Sequence, residues 1–154
     1  MQIQIDSREK AKAIKKIIAE FERQDIMYYT SKLYVGDYMN LDNPRLVVDR
    51  KQNLTEVCSN VCQDHERFRA ELIRAQEAGI QVVILVEHGS PVDKLEDVIW
   101  WNNPRLKKSP KAITGERLYK ILLTLERKYG CRFLFCKKED TGKKIIELLG
   151  ETSE

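Results

Sequence analysis

The sequence lacks an apolar run long enough to span a bilayer, and its N-terminus has no charged-then-apolar signal segment. An intracellular, cytoplasmic protein with no membrane partner is therefore expected, nucleoid-associated if its source is bacterial or viral. Cysteine is scarce, at four residues, and its spacing does not suit zinc. Cys58 and Cys62 recur with Leu54, Val57 and Val61 on one helical face, and Cys131 and Cys136 bracket a short apolar strand. All four read as small core residues in a reducing compartment. A strong charge of one sign is also missing: the formal net charge is +3 although 33% of residues are charged, which says little about partners. No internal repeat or low-complexity linker divides the chain. Its 154 residues suffice to bury a core without disulfides or a structural metal. Residues 1–150 are read as one domain and 151–154 as a C-terminal tail.

What is present alternates between the two periods of regular structure. Gln2 to Ile5 predicts a strand ending at Asp6, and the residues after it predict a helix on which Ile14, Ile17, Ile18 and Phe21 share a face. Met27 to Leu33, Asp37 to Leu41 and Arg45 to Arg50 predict three strands in a meander, turned by Gly36 and Asn43-Pro44 and paired antiparallel. Two helices follow, Leu54 to Cys62 and Asp64 to Ala78, with Asp64 as N-cap and Gly79 as terminator. Gln81 to Val86 is continuously apolar, as a strand covered on both faces must be. Residues 92–112 are irregular. A helix through Leu118, Ile121, Leu122 and Leu125 stops at Gly130, and a strand from Arg132 to Cys136 and a helix from Thr141 to Leu149 close the chain. This order predicts an α/β fold with helices packed on a central mixed β-sheet.

The apolar strand Leu46-Val47-Val48 runs straight into Asp49-Arg50-Lys51, charges a core would reject. Alternation sets Asp49 and Lys51 on one face and Arg50 on the other, where a structural salt bridge suits it. If neighbouring strands pair, Asp37 and Asp6 join Asp49, and three carboxylates meet one ammonium. Carboxylate oxygens suit Mg²⁺ or Mn²⁺. Such an ion activates water for attack on a phosphodiester, and Lys51 beside it would steady the charge that builds on the phosphoryl group. Other readings stand beside this one. Asp6 fits the N-cap of a capping box with Glu9, and Asp49 with Lys51 fits an exposed strand-end ion pair.

Taken in order, these pieces resemble the nuclease domain of the XPF/Hef structure-specific endonucleases, a branch of the PD-(D/E)XK restriction-endonuclease-like superfamily. "QIDSRE" matches the family's opening Asp and Arg-Glu at Asp6, Arg8 and Glu9. Gly36 and Asp37 match its Gly-Asp, and Asp49, Arg50 and Lys51 match its Glu-Arg-Lys. Arg67, Glu71 and "QVVILVE" match its following helix and strand. The resemblance implies a restriction-endonuclease-like fold and a metal-dependent endonuclease for branched, forked or junction DNA. Catalysis would rest on Asp37, Asp49 and Lys51, metal binding on Asp6, Asp37 and Asp49, and Arg67 would contact phosphate. Glu9, Arg50, His65 and Glu71 are lesser site residues. His65 is equally a solvated helix start.

The sequence departs from the family at two of these positions. Asp49 shortens the family's Glu by a methylene, and Thr55 stands where the family has an Asp, so that role is lost or passes to Glu56. Thr55 also favours a rival reading, a nuclease-fold scaffold that binds DNA without cutting it. Many relatives carry a tandem helix-hairpin-helix module, so recognition here is expected to rest on this domain, its homodimer or a separate DNA-binding partner. "WWNNPRLKKSPK" joins adjacent aromatics to Arg105, Lys107, Lys108 and Lys111, a mixture that grips a backbone and stacks on unpaired bases, or one core Trp beside a solvated loop.

Overall fold

A computed structural model of the chain describes residues 1–89 and 91–150; the expected tail at 151–154 lies outside the described residues. Six strands share one sheet: β1 (Gln2–Ile5), β2 (Met27–Thr30), β3 (Tyr38–Asn40), β4 (Asn43–Lys51), β5 (Gln81–Glu87) and β6 (Arg132–Cys136). Their spatial order is β2-β1-β3-β4-β5-β6. Helices α1 (Lys15–Arg23), α2 (Leu54–Cys62), α3 (His65–Glu77), α4 (Gly115–Tyr129) and α5 (Thr141–Gly150) cover its faces.

Two-residue periodicity in the central strands divides the core into two layers. Val47, Val82, Ile84 and Val86 face Leu54, Val57, Leu72, Leu118 and Leu122 of α2, α3 and α4. Val48, Val83 and Leu85 face Ile17 and Phe21 of α1 and Ile145 and Leu149 of α5. This is why β5 is apolar at every position from Val82 to Val86. Fully burying one such side chain stabilises by roughly 1.5–3 kcal/mol, and a one-residue slip would exchange the two faces. The α/β class and mixed sheet indicated by the sequence are therefore the observed ones.

The meander is not. β2 pairs in parallel with β1, with α1 as the crossover between them, and β3 lies antiparallel between β1 and β4. The segment leaving β2 crosses the end of β1 instead of turning back as a hairpin. The Ser31 N–H donates to the Ile5 carbonyl, and the Leu33 N–H donates to Asp6 Oδ1 at 2.8 Å. β4, β5 and β6 are mutually parallel, with α2 and α3 joining the first two.

Two helix starts also differ from the expectation. α1 begins at Lys15, because the Asp6 side chain is taken by Arg8 and Leu33 and that of Glu9 by Arg50, and no capping box forms. Asp64 makes no side-chain cap to α3. The irregular stretch holds two 3-10 turns, Leu95–Trp100 and Pro104–Lys107. Gly115 opens α4 where a Cβ would lie 2.4 Å from the Val98 carbonyl oxygen and 2.5 Å from that of Trp101, so only glycine lets the helix start against the tryptophan turn.

Candidate active site

β4 leaves the core at its C-terminal end, between the two layers. Asp49 follows Val47 onto the α2/α3 side, and Arg50 follows Val48 onto the α1/α5 side. Gly36 brings the partner carboxylate to this end. Its φ is +78°, and a Cβ there would lie 2.9 Å from Val47 Cγ2, so a glycine is required for the loop to press against β4. The Tyr38–Val48 pairing, continued by one residue, sets Asp37 opposite Asp49. Asp37 Oδ2 accepts the Arg50 N–H at 2.8 Å. Burial, then the charge of Asp49 and a shared hydrogen bond with it, push the Asp37 carboxyl well above the usual carboxylate range. The buried Asp49 and the half-buried Asp37 thus face each other across one gap.

Lys51 closes that gap on one side. Its Nζ lies 3.4 Å from Asp49 Oδ2 and 5.7 Å from the centroid of the Phe68 ring. Burial works against its charge, but Asp49, Glu56, Asp37 and Glu71 outweigh it, and its pKa is raised. It remains an ammonium. Glu71 on α3 accepts the Gly36 N–H at 3.3 Å, and burial followed by the charge of Asp49 raises its carboxyl. Among the described residues no three His, Cys, Asp or Glu side chains form a ready-made metal cage. The Asp37–Asp49 pair nevertheless fits a hard divalent cation: it offers oxygen donors that repel each other when ionised. Mg²⁺ is commonly held by one or two carboxylates, with water and phosphate oxygens completing its shell.

Behind this pair stands a buried ion network. Arg50, 5% exposed in its side chain, donates to Glu9 through Nε at 2.7 Å and to Glu87 through Nη1. Tyr38 Oη donates to Glu9 at 2.7 Å, and Thr141 Oγ1 donates to Glu87 at 2.8 Å. One guanidinium therefore ties together the segment after β1, the ends of β4 and β5, and the start of α5. Removing one partner of such a buried pair costs about 3–5 kcal/mol, because a charge is left uncompensated.

The ERCC4 domain family model matches residues 5–149. The chain belongs to the ERCC4-domain family. Among solved structures it is similar to XPF from Aeropyrum pernix, at 22% identity and a TM-score of 0.67, and to the same protein in complex with DNA, at 21% identity and a TM-score of 0.66. Each match covers 97% of this chain, which spans 63% of the length of those chains. No curated protein matches it.

In this ERCC4 domain Asp6 is the antiparallel neighbour of Asp37, its N–H donating to the Asp37 carbonyl at 2.8 Å, but its carboxylate is engaged by other partners. It is fully buried, with Oδ1 accepting from Leu33 N–H and Oδ2 accepting from Arg8 Nε at 2.7 Å. Burial raises its carboxyl, yet the Arg8 and Leu33 bonds prevail and its pKa is lowered. Both oxygens are engaged, so Asp6 fastens the crossing loop. Glu9 is likewise engaged, by Arg50 and Tyr38. Glu56 uses Oε2 to accept the Gln52 N–H at 2.7 Å while Asn53 caps α2, and its charge is felt by Lys51.

His65 and Arg67 are exposed on the first two turns of α3. Arg105, Lys107, Lys108 and Lys111 are exposed too, and Asn103 pins their loop by accepting the Arg105 N–H and donating to the Ile113 carbonyl. Arg105 and Lys111 line a cleft with Cys58, Ser59, Cys62 and Gln63, at the corner where α2 turns into α3. Of the two tryptophans, Trp101 packs on the core and Trp100 is 79% exposed. Tyr38, Phe68 and Thr141 carry no sequence signal as site residues; they matter only because the fold sets them against Glu9, Lys51 and Glu87.

Proposed function

We propose that this ERCC4 domain is a Mg²⁺- or Mn²⁺-dependent endonuclease that hydrolyses phosphodiesters in branched, forked or junction DNA during repair, recombination or replication. The observation that carries the reading is the facing pair Asp37 and Asp49 with the Lys51 ammonium 3.4 Å from Asp49. Asp37 and Asp49 would hold the cation, which when bound supplies Lewis acidity and a water acidic enough to ionise near neutral pH. Lys51, kept cationic by four acids, either positions the attacking water or neutralises charge on the phosphoryl oxygens. Glu71 holds the Gly36 turn and so fixes Asp37. Arg67 and the basic loop of Arg105, Lys107, Lys108 and Lys111 would neutralise phosphates along the α2–α3 corner. DNA as the partner is supported by family membership and by a similar chain, XPF from Aeropyrum pernix, being known in complex with DNA. A homodimer or a separate DNA-binding protein would complete substrate choice.

A second reading, a scaffold that binds DNA without cutting, is favoured by the engagement of both Asp6 oxygens and by Thr55. One assay separates the two. Purified protein is incubated with labelled forked and bubble duplexes in Mn²⁺, with and without chelator. The nuclease reading expects metal-dependent cleavage that falls by roughly 10²–10³-fold in Asp49→Ala, the scale of losing one preorganised electrostatic partner. Cleavage indifferent to Asp49→Ala would defeat it.

A further inference from the structure

We infer that the cleft lined by Arg8, Lys32, Leu33, Tyr34 and Arg74 is a second binding site, which takes an unpaired DNA strand next to the acidic pair. The cleft has a volume of ≈ 310 Å³. Three of its five lining residues are cations. Among the described residues neither Lys32 nor Arg74 has an ion-pair partner, and Arg8 pairs through Nε alone, its side chain 65% exposed. Two unpaired cations and one only partly paired, set around a concave surface, call for an anion.

The cleft is held rigid and close to the proposed chemistry. Gln4 Nε2 donates to the Lys32 carbonyl at 3.2 Å, and Asp6 accepts the Leu33 N–H, so both backbone residues under the cleft are fixed. The same loop runs on through Val35 and Gly36 to Asp37. Arg8 and Arg74 both act on Glu71: each is coupled electrostatically to its carboxyl, and Arg8 also feels Asp37. On α3, Arg67, Glu71 and Arg74 fall within about 60° of one another at ~100° per residue, so they share a face. The two arginines are separated by roughly 10 Å of helix axis at ~1.5 Å per residue, with Glu71 between them. A strand lying along this face would meet Arg67, pass the acidic pair and reach Arg74.

Tyr34 indicates that the strand is unpaired. The Arg74 guanidinium lies 5.4 Å from its ring centroid, yet the residue remains 63% exposed. An exposed ring backed by a guanidinium and set among phosphate-binding cations is a stacking platform for a base. A base in duplex is already stacked and cannot use it; a base in a single-stranded arm can.

The identity of the ligand rests on the nuclease reading above, and the test separates the two. Binding of a fluorescent fork with a single-stranded arm, a blunt duplex of equal length and the single strand alone is measured in chelator, where no cleavage occurs. Tyr34→Ala is expected to weaken fork and single-strand binding roughly tenfold, with little effect on blunt duplex. Lys32→Ala should lower the salt dependence of single-strand binding by about 0.7 in log–log slope, one phosphate contact. Both side chains are exposed, so folding is checked by an unchanged melting temperature. If both variants bind all three substrates as the unmodified protein does, the cleft assignment falls while the Asp49→Ala result still stands for the nuclease. If these losses occur but no cleavage is ever seen, the cleft is upheld and the scaffold reading gains.

Discussion

Replacing Asp37 by Asn should make the metal-free protein more stable and abolish binding of the proposed cation. Asp37, half-buried, faces the buried Asp49, and burial and the Asp49 charge raise the cost of ionising Asp37. Two like charges about 4 Å apart repel by about 4 kcal/mol at an effective dielectric near 20. Lys51 and partial protonation offset part of this, so about 1–2 kcal/mol remains for Asp37→Asn to recover. The Asn oxygen can still accept the Arg50 N–H, and its amide can donate to Asp49, replacing repulsion with a hydrogen bond. At about 2–4 °C per kcal/mol for a chain of this size, the melting temperature in chelator should rise by roughly 2–8 °C.

The pH dependence follows with a definite sign. A carboxyl raised by folding favours the protonated native state, so below its ordinary value of 3.8 no penalty exists. Stability is lost as pH climbs from there through the raised value. The gain from Asp37→Asn should therefore be absent near pH 3.8 and grow as pH climbs through the raised value. Scanning calorimetry in chelator and in Mn²⁺ reads both arms. Mn²⁺ at a hundredfold excess over its Kd should add about 2.7 kcal/mol to the unmodified protein and nothing to the variant. An Asp37→Asn protein that melts at or below the unmodified one in chelator, with an intact circular-dichroism spectrum, would refute the claim that these acids oppose each other.

Asp6→Asn should behave in the opposite way: lower melting temperature at neutral pH, because the Arg8 bond weakens, and an undiminished Mn²⁺ increment, because both Asp6 oxygens are structural. The Asp6 carboxyl is lowered by folding, so its contribution is present above the ordinary value of 3.8 and lost as pH falls through the lowered one, which an acid titration of the two proteins would show. Arg50→Met should destabilise by about 3–5 kcal/mol by leaving Glu9 and Glu87 buried without a counter-charge, measured by urea unfolding, with partial recovery in the added variant Glu87→Gln. Cleavage in Mn²⁺ should decline on the acid side at a higher pH than an ordinary carboxylate would give, because protonated Asp37 no longer holds the ion; a pH–rate profile with an acid limb near 3.8 would contradict this.

Much of this protein was settled by local pattern. The unbroken apolar run in "QVVILVE" and the apolar faces of α2, α3 and α4 specify a two-sided sheet, since successive strand residues alternate between faces and helical burial has a period of 3.6 whatever lies elsewhere in the chain. The same alternation separates Arg50 from Asp49 and Lys51. Pairing between distant segments is another matter. Nothing local distinguishes β2 as the parallel neighbour of β1 from β2 as the first strand of a meander; that choice depends on α1 packing against α5 and on the loop at 31–37 crossing the end of β1. The crossing in turn draws Asp6 onto Leu33 and Arg8, fills the Glu9 carboxylate with Arg50 and Tyr38, and leaves Asp37 and Asp49 facing each other. Sequence can nominate acids by type and spacing, but an oxygen is free or engaged only in three dimensions, because its partners come from strands and loops brought together by folding.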